Sequence, residues 1–462
     1  QQVRRSHAAG WAAAAVFLAF WLPYDNGLRA EPVVVLFSLL ALCAVERAVG
    51  TGRLMPAALG LVGAALSVGV NPHGLVAVLP YVASFKPLYR LVRKRAHEFG
   101  WLPVLAPISA SGFVILTLVF SDQTFRSVLD SMELKTTFGP NGRWYEELSR
   151  YSLLFSQSPD GSLTRRFPVL LVVLCLVTCA VVLLRRNRIR GAALGPSRRL
   201  LAVVAMCFGV LALTPTKHTH HFGIFAAFGG ALAALTALAT STTVLRSKRN
   251  RAAFVAMLMV ILAFAATGPN AWWYVSGWGV PWFNMPPVLA GYRLSTIFLV
   301  IAAIALVVAF IEHLRIDENN PKVVDESSTG EEKRSRALRL GTAPLSIVCA
   351  LLVLFELANF GKVIQKQWGS YSMGADNVKQ IVGSSCGLSD YVYVETNPQS
   401  GMLRVSPEQP EKGAPSQDVR IPIPPKRLEG KEDIDQYMRA KMVGFNRRGL
   451  PATDDDSGDP QE

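Results

Sequence analysis

Leu200-Leu-Ala-Val-Val-Ala-Met-Cys-Phe-Gly-Val-Leu-Ala-Leu213, then Thr214-Pro-Thr-Lys-His-Thr-His-His-Phe-Gly223, then the apolar run from Phe222 to Ala239 decide what kind of protein this is. Each apolar flank is long enough to be most of a bilayer crossing, so the stretch reads as a hairpin of two membrane helices with its mouth at a membrane surface. Into that mouth the chain places Lys217, His218, His220 and His221. Cations there suit a phosphate carried by a lipid. Imidazole is also the commonest metal-binding side chain, but this spacing repeats no known zinc pattern, and no cysteine or carboxylate lies near it in sequence. A structural interfacial loop and a metal site thus stand as alternatives to an anionic headgroup site.

The rest of the chain agrees with a membrane protein. Of 462 residues, 51% are hydrophobic and only 17% charged, with a mean hydropathy of +0.30; a soluble protein carries more charge. Apolar segments predict about eleven spans, near 8–23, 31–49, 54–70, 73–85, 101–120, 167–184, 199–213, 222–240, 252–267, 294–312 and 342–364. The loops between them alternate in charge. One set holds Arg47 with Arg53, the run Lys86 to Arg95, Arg185 to Arg199, Arg246 to Arg251 and the polar linker 315–340. By the positive-inside rule that set is cytoplasmic. The net charge of +14 is then a topology signal, which argues against nucleic-acid binding. An odd number of spans puts the start of the chain in the cytoplasm and its tail outside.

The outward loops carry the unusual chemistry. Tyr24-Asp-Asn-Gly-Leu-Arg-Ala-Glu31 packs Asp25, Arg29 and Glu31 into one turn; it reads as a solvated hairpin loop, or as a forked donor to phosphate held by a carboxylate. Asn71-Pro-His-Gly74 is a tight turn whose His73 reads as incidental. The long loop 121–166 predicts short amphipathic helices on the membrane surface, with Gln123, Trp144, Tyr145, Glu147, Arg150, Arg165 and Arg166 on their faces. A glycan groove is its second reading. Trp272 and Trp273, with Tyr274, read either as an interfacial aromatic belt or as a stacking wall for a lipid-linked sugar. Cys43, Cys175, Cys179, Cys207 and Cys349 lie within spans, and Cys386 lies in an outer segment. The acidic, Pro- and Lys-rich stretch 401–462 reads as disordered. Ionisable groups within spans, such as Glu46 and Glu356, sit toward span ends, which speaks against a transporter of anionic lipids.

Several runs resemble the actinobacterial, mycobacterial-type cell-wall arabinosyltransferases that are the targets of ethambutol. They are Phe17 to Glu31, Ser84 to Arg95, Asp122-Gln-Thr124, Trp144-Tyr145, Gly161-Ser-Leu-Thr-Arg-Arg-Phe167, Thr214 to Gly223, Trp272 to Ser276 and Cys386-Gly-Leu388. The resemblance covers roughly residues 8–400 in one order. It implies an all-α polytopic GT-C glycosyltransferase bundle at residues 1–365, with 366–400 opening an extracytoplasmic C-terminal domain. It implies transfer of D-arabinofuranose from decaprenylphosphoryl-arabinose to arabinan of arabinogalactan or lipoarabinomannan, on the outer face of the plasma membrane, by an enzyme that pairs with itself or a homologue. Carried onto this chain, Lys217, His220 and His221 lie near the donor phosphate, with Arg29 and Gln123 lining the same cavity. His218 departs from the family's tryptophan. The family's pair of catalytic aspartates lies upstream of everything here, so the chain resembles an internal piece or a divided member, and Asp25 or Glu31 would have to substitute as base. A non-catalytic arabinan- or lipid-phosphate-binding partner of an intact homologue is the rival function. No metal signature is present, and the family's requirement for a divalent cation is left open.

Overall fold

The computed structural model describes residues 7–25, 27, 29–240, 248–273, 275–318 and 330–383, with backbone only at 8, 136, 316–318 and 330–343. Cys386 and the stretch 401–462 lie outside the described residues. The first unit ends at Trp368 and is almost wholly helical. Three hydrophobic helices open it: α1 (His7–Tyr24), α2 (Glu31–Thr51) and α3 (Met55–Val70). Proline in the first turn starts α2 and α3, where a missing N–H costs nothing. A 3₁₀ turn (Pro72–Val78), the short α4 (Leu79–Ala83), α5 (Phe85–Phe99) and α6 (Trp101–Val119) follow. The outer segment expected at 121–166 folds as α7 (Phe125–Phe138), α8 (Leu148–Leu154) and 3₁₀ turns at Trp144–Glu147 and Pro159–Gly161.

Next come α9 (Leu163–Arg186), α10 (Leu194–Ala212), a 3₁₀ turn (Thr219–Ile224) running into α11 (Phe225–Ala239), and α12 (Lys248–Ala265). A two-residue hairpin, β1 (Val288–Leu289) and β2 (Tyr292–Arg293), pairs Val288 with Arg293 before α13 (Leu294–Glu318) and α14 (Gly330–Lys366). Its turn residues Ala290 and Gly291 both take positive φ, as the twist of a tight hairpin requires. The second unit contributes α15 (Met373–Ile381), whose N-terminus is capped by the Ser372 hydroxyl accepting from the Ala375 amide.

Seven of the described helices are long and apolar enough to cross a bilayer, and α1 and α3 are shorter apolar helices of the same kind. The segment expected to span at 73–85 does not form one straight helix. It is a 3₁₀ turn and a five-residue helix that meet α5 at a bend of 65°. Twelve residues of that geometry fall short of a hydrocarbon core of about 30 Å. The other expected segments coincide with helices to within about six residues, save that the helix at 342–364 begins earlier, at Gly330, with its apolar stretch from Pro344 to Lys366.

The core explains why. Helix α11 is buried on all sides because its Ala- and Gly-rich surface lets α1 and α9 approach closely. A Cβ on Gly230 would stand 3.1 Å from the Ala13 carbonyl, and one on Gly229 would stand 3.0 Å from Val172. Helices α6 and α13 instead leave large apolar side chains such as Phe113, Leu118, Ile304 and Phe310 exposed, as lipid contact demands. Between α9, α12, α13 and α14 lies a crevice of about 300 Å³ lined by Phe167, Leu262, Phe298, Leu352 and Phe355. Its apolar walls offer nothing to a charged ligand.

Glu356 departs from its expected place. It lies midway along the apolar stretch Pro344–Lys366, wholly buried and with both oxygens lacking a hydrogen-bond partner. The turn after α3 depends on a close approach: a Cβ on Gly74 would overlap the backbone of Ser67. Gly74→Ala is expected to destabilise the protein by about 1–3 kcal/mol, the usual cost of overpacking. Gly209→Ala, inside α10 and with a Cβ that meets nothing within 4 Å, should raise stability by roughly 0.5–1 kcal/mol; thermal unfolding of both in detergent is the check.

Candidate functional site

Four separate stretches converge at one end of the bundle: the exit of α1 at Tyr24 and Asp25, the first turn of α2 at Glu31, the turn bearing His73, and the 3₁₀ turn that follows α10. Glu31 is 3% exposed, and one of its carboxylate oxygens stands 3.7 Å from His73 Nε2 and 3.7 Å from His220 Nε2. The His221 ring packs 4.9 Å from that of His73 and 4.2 Å from that of His220. His218, exposed, stacks on His220 at 5.6 Å. Asp25 lies against Gly223, where a Cβ would meet Oδ1 at 2.5 Å, so glycine is required to admit the carboxylate. Both Asp25 oxygens are buried without a hydrogen-bond partner.

Guanidinium groups surround this cluster. Arg150, from α8, is wholly buried and donates to Thr214 Oγ1, the His218 carbonyl and His221 Nδ1. Arg165, on the first turn of α9, donates to the Pro23 carbonyl at 3.1 Å, to Asp160 Oδ1 at 3.3 Å and to Thr219 Oγ1 at 3.2 Å. Its guanidinium also lies 5.0 Å above the Tyr24 ring, whose hydroxyl donates to the Arg165 carbonyl. Arg166 points elsewhere, to the Leu154 and Ser156 carbonyls and to Thr267. These three arginines do not lie on exposed faces of surface helices, as expected; they are interior groups, because carbonyls in irregular backbone need donors that water does not supply.

The expected site residues divide. Glu31, His220 and His221 meet, with Asp25 beside them. Lys217 is buried, but its ammonium donates to the Ala212 carbonyl at 2.8 Å and pairs with Glu147 at 3.3 Å, so it braces the loop. Gln123 is exposed on the turn after α6. Trp272 is 5% exposed, its indole N–H donates to Asn270 and its ring packs 4.8 Å from Phe360; the stacking wall expected there is core packing. Trp273 is partly exposed, and Tyr274 lies outside the described residues.

His73 is the member that sequence reading passed over, since a lone histidine in a turn gives no signal until the fold brings Glu31 and His221 to it. Glu31, His73 and His221 can each offer one ligand atom within 4.8 Å of the others, so they are the group best spaced to hold a cation among the described residues. The carboxylate that the histidine loop lacked in sequence comes from α2.

A polytopic helical membrane protein whose polar chemistry gathers at one end of the bundle, in a buried group of carboxylates and imidazoles, is the class that fold and site define. The family model described as mycobacterial cell wall arabinan synthesis protein matches residues 1–315, and that of the EmbC C-terminal domain matches 357–439. Probable arabinosyltransferase C of Mycolicibacterium smegmatis is 40% identical over 400 residues, covering 87% of this chain and 36% of that protein. Probable arabinosyltransferase B of Mycobacterium tuberculosis (strain ATCC 25618 / H37Rv) is 42% identical over 402 residues, covering 87% and 35%. The cryo-EM structure of arabinosyltransferase EmbB from Mycobacterium smegmatis superposes with a TM-score of 0.67 at 37% identity, over 83% of this chain and 33% of that one. The chain belongs to the mycobacterial cell wall arabinan synthesis family and has the helical membrane fold expected of it. It spans about a third of the length of the relatives it matches.

Burial, with Glu31 adding repulsion and Arg165 offsetting part of the effect, pushes the Asp25 carboxyl up from its ordinary 3.8 to about 8. The folded chain thus holds a proton between about pH 4 and pH 8 that the unfolded chain gives up, so stability falls as pH rises across that window. Asp25→Asn, which cannot ionise, is expected to flatten that part of the dependence of Tm on pH.

Proposed function

We propose that this chain forms the donor-phosphate side of an arabinosyltransferase centre, in a protein that moves D-arabinofuranose from decaprenylphosphoryl-arabinose to an arabinan hydroxyl. The observation that carries the reading is Glu31 buried between His73 and His220, at the end of a membrane bundle of the arabinan synthesis family. The histidine loop faces outward in this reading, opposite the arginine-rich turns, so the donor headgroup arrives from the outer leaflet. Residues 1–365 make the membrane domain, and the segment from 366 opens an extracytoplasmic domain.

In the reaction, an acceptor hydroxyl oxygen bonds to the anomeric carbon while the bond from that carbon to the phosphate oxygen breaks. The hydroxyl proton passes to a carboxylate, and the departing phosphate takes the negative charge. Donors already in place where that charge develops lower the barrier. Arg29 and His220 are suited to that role. Asp25, which keeps its proton at neutral pH, is better matched to donating than to accepting. Of the two carboxylates, Glu31 is therefore the acceptor of choice in this chain. Lys217, paired with Glu147, acts by holding the loop.

Transfer of arabinose from synthetic decaprenylphosphoryl-arabinose to a short arabinan, in membranes carrying this chain, tests the reading. Glu31→Gln is expected to lower turnover about 100-fold or more, the lower range of general-base effects. His221→Ala should also lower it. Wild-type turnover in Glu31→Gln would remove Glu31 from the chemistry.

A further inference from the structure

Arg150 directs every one of its N–H groups at a named acceptor. Nε donates to Glu147 Oε1 at 2.7 Å. One terminal nitrogen donates to the His218 carbonyl at 2.5 Å and to His221 Nδ1 at 2.8 Å. The other reaches Thr214 Oγ1 at 2.7 Å, the Leu211 carbonyl at 3.1 Å, the Thr216 carbonyl at 3.2 Å and Glu147 Oε2 at 3.3 Å. The side chain is wholly buried and pairs with Glu147, which also holds Lys217. So many fixed acceptors leave the guanidinium one orientation.

A guanidinium has donors and no acceptor, and it does not give up its charge in a protein. The contact with His221 therefore has one polarity: Arg150 donates and Nδ1 accepts. A neutral imidazole that accepts at Nδ1 carries its hydrogen on Nε2. Protonating Nδ1 as well would set two N–H groups, and two positive charges, against each other at hydrogen-bond distance.

We propose that Arg150 is a positioning residue that fixes His221 as a neutral ring protonated on Nε2, so that His221 serves the cluster as a hydrogen-bond donor to an anionic oxygen. This excludes His221 as a base and as a metal ligand. A histidine bound to a metal hands its second ring N–H to an acceptor, whereas here the second nitrogen meets a donor. Despite their spacing, Glu31, His73 and His221 are thus not a metal site. In the transfer reaction proposed above, on which the identity of the anion rests, the oxygen that gains charge belongs to the departing phosphate. A neutral donor held rigidly at that point needs no reorganisation as the charge develops.

Nitrogen NMR of the full chain in nanodiscs, with ¹⁵N-labelled histidine and His221→Gln to assign the signal, reads the ring directly and without turnover. At neutral pH the wild type is expected to show His221 Nδ1 in the unprotonated, hydrogen-bonded range and Nε2 in the protonated range. Arg150→Lys, which keeps charge but loses the fork, should mix the two tautomers. Should that variant fail to fold, the wild-type spectrum alone decides. A ring protonated on Nδ1, or doubly protonated, in the wild type overturns the proposal. So does stoichiometric zinc chloride that shifts His73 and His221 together. Loss of arabinose transfer with the expected tautomer intact would count against the proposed function and leave the role of Arg150 standing.

Discussion

Irregular backbone at the end of a membrane bundle must find hydrogen-bond donors within the protein, and buried guanidinium groups supply them here. Arg150 satisfies carbonyls of the stretch between α10 and α11, Arg165 the carbonyl of Pro23 at the exit of α1, and Arg166 the carbonyls that close α8. Each arginine joins stretches far apart in the chain. Removing Arg150 would leave three carbonyls and both oxygens of Glu147 without its donors, and removing Arg165 would leave Asp160 without its paired cation, costs that hold the loop geometry in place.

That scaffold makes a site with two acids of different character. Asp25 is inserted against Gly223 without a hydrogen-bond partner, so it holds its proton to about pH 8. Glu31 lies between two imidazoles. The difference comes from placement and not from residue type, as it does wherever neighbouring carboxyls are given separate tasks. At the other end of α2, Glu46 accepts two hydrogen bonds from Arg199 of α10 at 2.7 and 2.5 Å, a bidentate ion pair. One helix therefore carries an arginine-paired carboxylate toward one end and a carboxylate set between imidazoles at the other.

Where sequence reading and structure part, the reason is local. His73 and Glu31 are separated by two helices, so nothing in either neighbourhood announces the other. Trp272 gave the same signal as an exposed stacking residue because an aromatic next to an interface reads alike whether its face meets solvent or Phe360. Glu356 lies within the expected span 342–364 and, in the structure, midway along the apolar stretch Pro344–Lys366 and not toward its end. The segment 73–85 is apolar enough to span, but the turn beginning at Pro72 and the short α4 divide it. Lys217 stands out in the sequence beside the histidines, yet in the fold it pairs with Glu147, seventy residues away in the chain.

Hydropathy and charge alternation by themselves determined the helical membrane class and nearly all helix positions, because a bilayer imposes one length and one polarity on every crossing. The sequence also marked the histidine loop and the Asp25–Glu31 turn as candidate sites, since each gathers several titratable or charged groups at the mouth of an apolar hairpin. Only the tertiary structure decided which of them share a site, which arginines are structural and which side chain meets His221 Nδ1. Those outcomes rest on contacts between residues that helix packing brings together from distant parts of the chain, and contact at hydrogen-bond range is a property of the packed bundle that no single segment encodes.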